Sequence, residues 1–320
     1  MRAVYAKSVS ADDPLSGLEV GELPDQQGPD GWEKITLKAS ALNHHDLFSL
    51  RSVLSSDDLP MVLGCDGAGI DADGNEVIVH AVVASPGWRG DETLDPRRTL
   101  LSERHYGTMA DHVWVPAGNK VPKPAELSWE EAASLPTSWL TAYKMLFSVS
   151  PAAPGSTILI QGAGGGVATA LTAMAAAAGF RVWVTSRSED KRNLALTLGA
   201  AAVFEDGARL PERVDVVFDS VGQATWAHSL KSLRPGGAIV TCGATSGSAA
   251  STDLNRVFFT QLKVLGSTMG TREELQRLTR FLVATGVRPV IDSVLPLADA
   301  RTGFARMLDG DVKGKVVFTH

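Results

Sequence analysis

Residues 158–187, ILIQGAGGGVATALTAMAAAAGFRVWVTSR, constrain the fold of this chain more than any other stretch. The apolar run ILIQ meets Gly162, Gly164, Gly165 and Gly166, a segment of small residues follows, and a second apolar run, RVWVTS, closes the unit. Short, continuous apolar runs suit strands of a parallel sheet covered on both faces. The alanine-rich segment between them reads as the crossover helix that a parallel pair requires. The rhythm continues through SEDKRNLALTLG and AAVFE, then VDVVFDSVG, a helical stretch through SLKSLR, and GGAIVTCG. Such alternation predicts an α/β, doubly wound parallel sheet.

The glycines also carry chemistry. Gly162-x-Gly164-x-x-Val167 fills the first two positions of a dinucleotide fingerprint, and Gly165 with Ala168 offers an offset register. Without side chains, backbone N–H groups and a helix N-terminus can meet a pyrophosphate. A glycine-rich turn can be only a turn, but here it joins a buried strand to a helix. At the end of the second strand an NAD site normally places Asp or Glu against the ribose diol. This chain has Thr185-Ser186-Arg187-Ser188, with Lys191 one helical turn on. Ser186, Arg187 and Lys191 are therefore the candidates for a 2′-phosphate, and NADP is the expected cofactor. The alternative is that both cations are solvated at a helix start and partly offset by Glu189 and Asp190.

Residues 1–124 follow a different pattern of short strands and turns, with β-rich runs at 34–43, 75–84 and 111–118. Between the last two lies a Pro/Gly- and charge-rich excursion over 85–108, read as a functional or mobile loop or a solvated linker. SWEEAASLPTSWLTAYKML, 128–146, has helical character, with Ser128 as N-cap, Glu131 in the capping-box position and Pro136 dividing it. QLKVLGS, 261–267, predicts another strand. REELQRLTRFLVATG, 272–286, predicts an amphipathic helix with Leu275, Leu278, Leu282 and Val283 as its apolar stripe and Gly286 as its stop. The segment after Gly286, ending in GKVVFTH, is too short for a domain and is expected to rejoin the first one.

A net charge of −6, with acids and bases interspersed, offers no basic tract for nucleic acid. The two cysteines, Cys65 and Cys242, suggest a reducing compartment, and Cys242 reads as core. No signal-like stretch opens the chain, and the apolar run at 167–180 is too short to span a bilayer. A cytoplasmic protein without nucleic-acid or membrane partners is expected. ALNHHD at 41–46 and LGCDGAG at 63–69 raise a separate question, because His44, His45, Asp46, Cys65 and Asp66 are all able to ligate a metal.

The order of ALNHHD, PMVLGCDGAG, GNEVIV, GTMADHVWVP, EEAASLPTSWLTAY, GAGGGVATA, FDSVG, LRPGGAIVTCG, QLKVLGSTMG and GKVVF resembles that of the medium-chain dehydrogenases/reductases. The likeness is to their quinone oxidoreductase-like branch, which is grouped with zinc-binding dehydrogenases. The resemblance implies a GroES-like, mainly β catalytic domain over 1–124 and a Rossmann cofactor domain over 125–268. It also implies a return of 269–320 to the catalytic domain, with cofactor and substrate in the cleft between domains.

The same resemblance sets Asn43, Cys65 and Thr137 at the positions of the catalytic zinc ligands, with Asp66 where a nearby glutamate would stand. One ligand-capable side chain of those three remains, and no cysteine lies in 85–108 for a structural zinc. No metal is therefore expected, although Cys65, Asp66 and a rearranged His44 stay open as an altered site. Removing hydride from an alcohol needs help in forming an alkoxide, which Zn²⁺ normally supplies as a Lewis acid, whereas reducing a quinone, enone or related conjugated carbonyl needs only a donor for the developing oxyanion. Asn43 is the candidate donor, His44 (and less so His45) the proton source, and Asp46 an orienting carboxylate. By resemblance, Thr137 and Thr141 line the nicotinamide side. Ser220, Val221 and Gly222 end the fourth strand of the sheet, Gly243 and Thr245 the fifth, and Ser267 and Thr268 the next. Lys315 matches a basic residue that contacts cofactor phosphate. Relatives often pair through edge strands, so a homodimer through QLKVLGS is expected. A zinc-dependent alcohol dehydrogenase with an altered ligand set and a non-catalytic NADPH-binding protein are the rival readings.

Overall fold

In the computed structural model, which describes residues 1–320, the chain forms two compact units. Met1–Leu140 and Gly270–His320 make one, and Thr141–Met269 the other.

The second unit is built on six parallel strands in the spatial order Ala202–Phe204, Arg181–Thr185, Thr157–Gln161, Val214–Asp219, Leu233–Thr241 and Lys263–Gly266. The first strand in sequence is thus third in space, and the order reverses beside it. That is the doubly wound arrangement, in which ligands bind outside the carboxyl ends of the strands at the reversal point. Residues 158–160, 182–184 and 216–218 are buried on both faces, as continuous apolar runs require. The helices Gly166–Ala177, Glu189–Thr197 and Gln223–Ser232 supply the crossovers.

The first unit is centred on the long strand Trp32–Ala41. It pairs antiparallel with Asp66–Ile70, His112–Pro116 and Lys315–Thr319. The terminal strand Lys315–Thr319 also runs parallel to Ile291–Pro296, so the chain after Gly270 completes this sheet. This unit extends to Leu140, past the boundary at 124 read from the sequence. The helix Trp129–Ala133 packs on strands Trp32–Ala41 and Asp66–Ile70. A change from strands to helix marked a change of local structure there, while packing kept the segment with the earlier sheet.

Ser128 and Glu131 form the expected capping box, and the helix gives way to a wider turn over Leu135–Trp139 at Pro136. Helix Arg272–Thr285 buries Leu275, Leu278 and Leu282 and ends at Gly286, whose φ of 72° lies in the left-handed region. The 85–108 excursion is not a solvated linker. Thr93, Asp95, Leu101 and Ser102 are buried, and the Asp95 carboxylate accepts from the N–H groups of Ser85 and Arg97. No helix is long and apolar enough to cross a membrane.

Candidate active site

In the second unit the site begins where strand Thr157–Gln161 ends. Gly162 has φ +83°, a conformation that L side chains rarely adopt. At Gly164 a Cβ would lie 2.5 Å from Cδ of Lys191, so the lysine's alkyl chain crosses the turn because no side chain stands there. Gly165 precedes helix Gly166–Ala177 and provides no side-chain cap. The helix's first N–H groups are thereby left to an anion, as a pyrophosphate site requires. These features fit a dinucleotide.

The turn after strand Val214–Asp219 is wedged against it. Val221 Cγ2 lies 3.6 Å from the Cβ position of Gly162. Gly222, at φ +89°, would put a Cβ 2.7 Å from the Gly247 carbonyl. The fully buried Asp219 accepts from the N–H groups of Val221 and Gly222 and from the hydroxyls of Thr225 and Ser229. Thr245 donates to the Ser220 carbonyl at 3.4 Å, and Ser246 donates to that of Val221 at 2.7 Å. A cavity of about 430 Å³ opens at the strand ends, lined by Gly222, Gly243, Gly266 and Ser267 among others. Ser267 Oγ is buried without a partner, and Thr268 is exposed. Cys242 lines this cavity and is half-buried, not core as its sequence suggested, and burial with Asp219 nearby pushes its thiol up to about 12. It follows strand Leu233–Thr241, whose residues 237–240 are buried, so periodicity could not show which side of the boundary it takes.

At the end of strand Arg181–Thr185, no carboxylate is present. Thr185 spends its hydroxyl on Gln161 at 2.5 Å, Ser186 accepts from Ser188 N, and Ser188 caps the helix that holds Lys191. Arg187 is exposed. Arg192, unremarkable in the sequence, donates to the Ser186 carbonyl at 2.6 Å and so steadies this turn.

In the first unit, Asn43 precedes the short helix His44–Phe48. Asp46 is fully buried, accepting from Asn43 N through Oδ2 and from Gly64 N through Oδ1, both at 2.9 Å. Burial pushes its carboxyl pKa up, against the pull of His45 and these backbone bonds. With both oxygens engaged on backbone, Asp46 positions the site and does not belong with the groups that meet substrate. Lys315 departs from the phosphate contact expected of it. Its side chain is 2% exposed, and Nζ donates to Leu42 O at 2.9 Å, Asn43 Oδ1 at 2.7 Å and Asp66 Oδ2 at 2.7 Å. Three acceptors use all three protons. Nothing is left for a cofactor phosphate, and a motif match alone could not reveal where the side chain turned.

Because Asn43 Oδ1 must face the ammonium, its Nδ2 is the amide's outward donor, with only a long 3.5 Å contact to Ala41 O. Asp66 Oδ1 and Thr137 Oγ1 are buried without partners, on a strand and a turn that pack together. Thr141 is buried at the start of the second unit.

His44 is exposed, whereas His45 sits between two groups. Its Nε2 lies 2.8 Å from Glu103 Oε1 and its Nδ1 3.7 Å from Cys65 Sγ. Burial opposes a charge on this ring, but Cys65, Glu103 and Asp46 outweigh it and hold the pKa well above the ordinary imidazole value. Burial pushes the Cys65 thiol up, and it donates to Leu101 O at 3.1 Å. Glu103 was not legible as a site residue: it lies in the 85–108 excursion, in no motif.

The side chains at the zinc-ligand positions do not fit a divalent metal. An ammonium already occupies Asn43 Oδ1 and Asp66 Oδ2, and the thiol of Cys65 is directed at a carbonyl. No group of three or more His, Cys, Asp or Glu side chains is gathered as a metal site.

Residues 166–284 match the model of a family described as zinc-binding dehydrogenase. Over 88% of this chain and 89% of its own length, the zinc-type alcohol dehydrogenase-like protein YogA of Leptosphaeria maculans is 30% identical. Crotonyl-CoA reductase of Streptomyces collinus is 25% identical over 90% of this chain and 78% of its own. The crystal structure of an NAD-dependent alcohol dehydrogenase, 34% identical, superposes with a TM-score of 0.92 over the whole of both chains.

Proposed function

Because the chain belongs to the medium-chain dehydrogenases/reductases, among their zinc-type alcohol dehydrogenase-like members, we propose that this oxidoreductase uses NADPH to reduce conjugated carbonyls: quinones, enones or 2-enoyl thioesters. The observation that carries the reading is the ammonium of Lys315 at 2.7 Å from both Asn43 and Asp66, at the positions where a metal would assist alcohol oxidation. A conjugated acceptor is already electron-poor at the carbon that receives hydride, so its reduction asks only for a donor at the carbonyl oxygen. The similarity to crotonyl-CoA reductase, named for a conjugated thioester, supports the same class.

When bound, the dinucleotide supplies the hydride. Gly162, Gly164, Gly165, Gly166 and Val167 hold its pyrophosphate through backbone, and Ser186, Arg187 and Lys191 take the 2′-phosphate. Thr137, Thr141, Ser220, Val221, Gly222, Gly243, Thr245, Ser267 and Thr268 orient the remainder. Asn43 Nδ2 donates to the substrate oxygen as charge develops there, and His44 and His45 are the protonable groups beside it. In this reading two copies pair through the sheet edge Lys263–Gly266, near the exposed Phe258, Phe259 and Val264. Light scattering that finds a monomer at micromolar concentration would contradict the pairing.

The test is NADPH oxidation against a panel of quinones, 2-enones and 2-enoyl thioesters, beside NADP⁺ reduction by alcohols. Turnover of at least one conjugated class with negligible alcohol oxidation is expected. Tight NADPH binding with no turnover would leave a binding protein. One zinc per chain in freshly purified protein, lost together with activity on chelation, would overturn the metal-free reading.

A further inference from the structure

We propose that Lys315 is a built-in cation that charges the electrophilic site through Asn43, in the place where zinc-type relatives use a metal ion. The inference rests on the functional reading above only in taking Asn43 Nδ2 as the donor to the reacting oxygen.

The fold brings the three groups together from opposite sides of one strand. Ala41, at the end of the central strand, stands opposite Asp66 on one neighbour, while strand Lys315–Thr319 pairs with its other edge, Val317 against Ala41. Lys315 crosses the end of that strand and reaches Asn43, two residues on, and Asp66 beyond it. Of its three acceptors, two are neutral amide oxygens and one is a carboxylate. Asp66 engages the lysine with one oxygen, and its other oxygen has no partner. The positive charge is therefore shared with the Asn43 amide, not wholly collected by a bidentate carboxylate.

Burying an ammonium and a carboxylate at 2% and 0% exposure is a poor way to stabilise a core, since apolar residues of similar volume commonly do as well or better. The arrangement instead does two things to Asn43. It fixes the amide's orientation, because Oδ1 facing the ammonium leaves Nδ2 on the opposite side. It also pulls electron density toward Oδ1, which makes the Nδ2 protons stronger donors; hydrogen bonds in series reinforce one another, and more so in a dry site. A Lewis acid does the same work by direct contact with the substrate oxygen. Here the cation is covalently part of the chain and acts one amide away, which makes Lys315 a positioning residue.

The tests separate this role from the phosphate contact that the sequence suggested. K315M should lower kcat by about 100-fold, the scale of losing an oxyanion donor. Its NADPH dissociation constant should stay within about twofold of wild type. In the double variant with N43A, the loss should be no greater than in the worse single variant, because both remove one device. K315R keeps the charge and should recover about tenfold of the lost kcat. A K315M protein that keeps kcat but binds NADPH about tenfold more weakly would overturn the proposal, as would multiplicative losses with N43A.

A second readout needs no turnover and stands even if no conjugated carbonyl proves to be a substrate. In ¹⁵N-labelled protein, the Asn43 side-chain amide is the resonance lost in N43A. In K315M it should shift and exchange with solvent about tenfold faster or more. An unmoved resonance overturns the proposal whatever the kinetics show. Should K315M fail to fold, K315R carries the same comparison. Its bulkier, planar donor must still move the Asn43 resonance, and an unchanged one again overturns the proposal.

Discussion

The candidate sites of the two units are built from different materials. In the second unit, Gly162–Gly166 make a candidate binding surface from backbone N–H groups and a helix end, contiguous in the chain. In the first unit, Asn43, Asp66 and Lys315 make one from side chains that are far apart in sequence and meet only in the folded sheet. A backbone site depends on the absence of atoms and is damaged by adding them. A side-chain site depends on every polar group finding its partner and is damaged by removing one.

The largest expected effect lies where backbone is most crowded. Gly222→Val should destabilise the protein by about 3–5 kcal/mol or prevent folding, because φ is +89° and a Cβ would meet Gly247 O at 2.7 Å. Gly165→Ala is its control: nothing lies within 4 Å of its Cβ position and its φ is −77°, so the urea midpoint should barely move. Tolerance of Gly222→Val would break the view that the second unit's candidate site is limited by space.

The matching removal in the first unit is Asp46→Ala. It leaves the N–H groups of Asn43 and Gly64 buried without acceptors, at a cost of about 2–4 kcal/mol in denaturant titration. Asp46→Asn, which keeps one acceptor, should lose less. Equal losses would mean that the carboxylate's hydrogen bonds are not what matters there.

Next comes the proposed 2′-phosphate contact. Replacing Arg187 and Lys191 together by alanine should weaken NADPH by about 10–100-fold, because Arg187 is exposed and Lys191 only half-buried, which reduces each charge-assisted contact. NADH, which lacks that phosphate, should be nearly unaffected. Tryptophan fluorescence titration with both cofactors reads the difference, and equal loss for both would remove these cations as the discriminator.

The smallest effect tests another side-chain cluster of the first unit. Lys120 donates to Asp71, which with bonds from Asn75 lowers the Asp71 pKa to about 2, and Glu33 binds the same lysine. A carboxyl depressed on folding contributes stability that is complete above its unfolded pKa of roughly 4. That stability is lost as pH falls through about 2. Asp71→Asn should remove about 2 kcal/mol at neutral pH and flatten the acid limb of the stability curve between pH 4 and 2. An unchanged acid limb would show the cluster to be neutral.

Local signals were legible because they act over one turn or one strand. The Ser128–Glu131 box, the Leu275, Leu278 and Leu282 stripe with its Gly286 stop, and the strand-to-glycine junction at Gln161–Gly162 each carry their own geometry. Residues that depend on packing were not. Lys315 matched a phosphate contact by motif and turned into the sheet. Asp46, expected as an orienting carboxylate, accepts from the N–H groups of Asn43 and Gly64, partners that its motif did not name. Glu103 and Arg192 drew no attention because each gains its role from a partner in another segment.

By itself the sequence determined the doubly wound sheet and its backbone cradle, because apolar periodicity and glycine placement are local properties that any fold must obey. It also determined which chemical groups the chain carries at Asn43, Asp66 and Lys315. Only the tertiary structure decided which of them touch. Strand pairing carries Lys315 across Ala41 to Asp66, and a hydrogen bond acts over about 3 Å in space, whatever the distance along the chain.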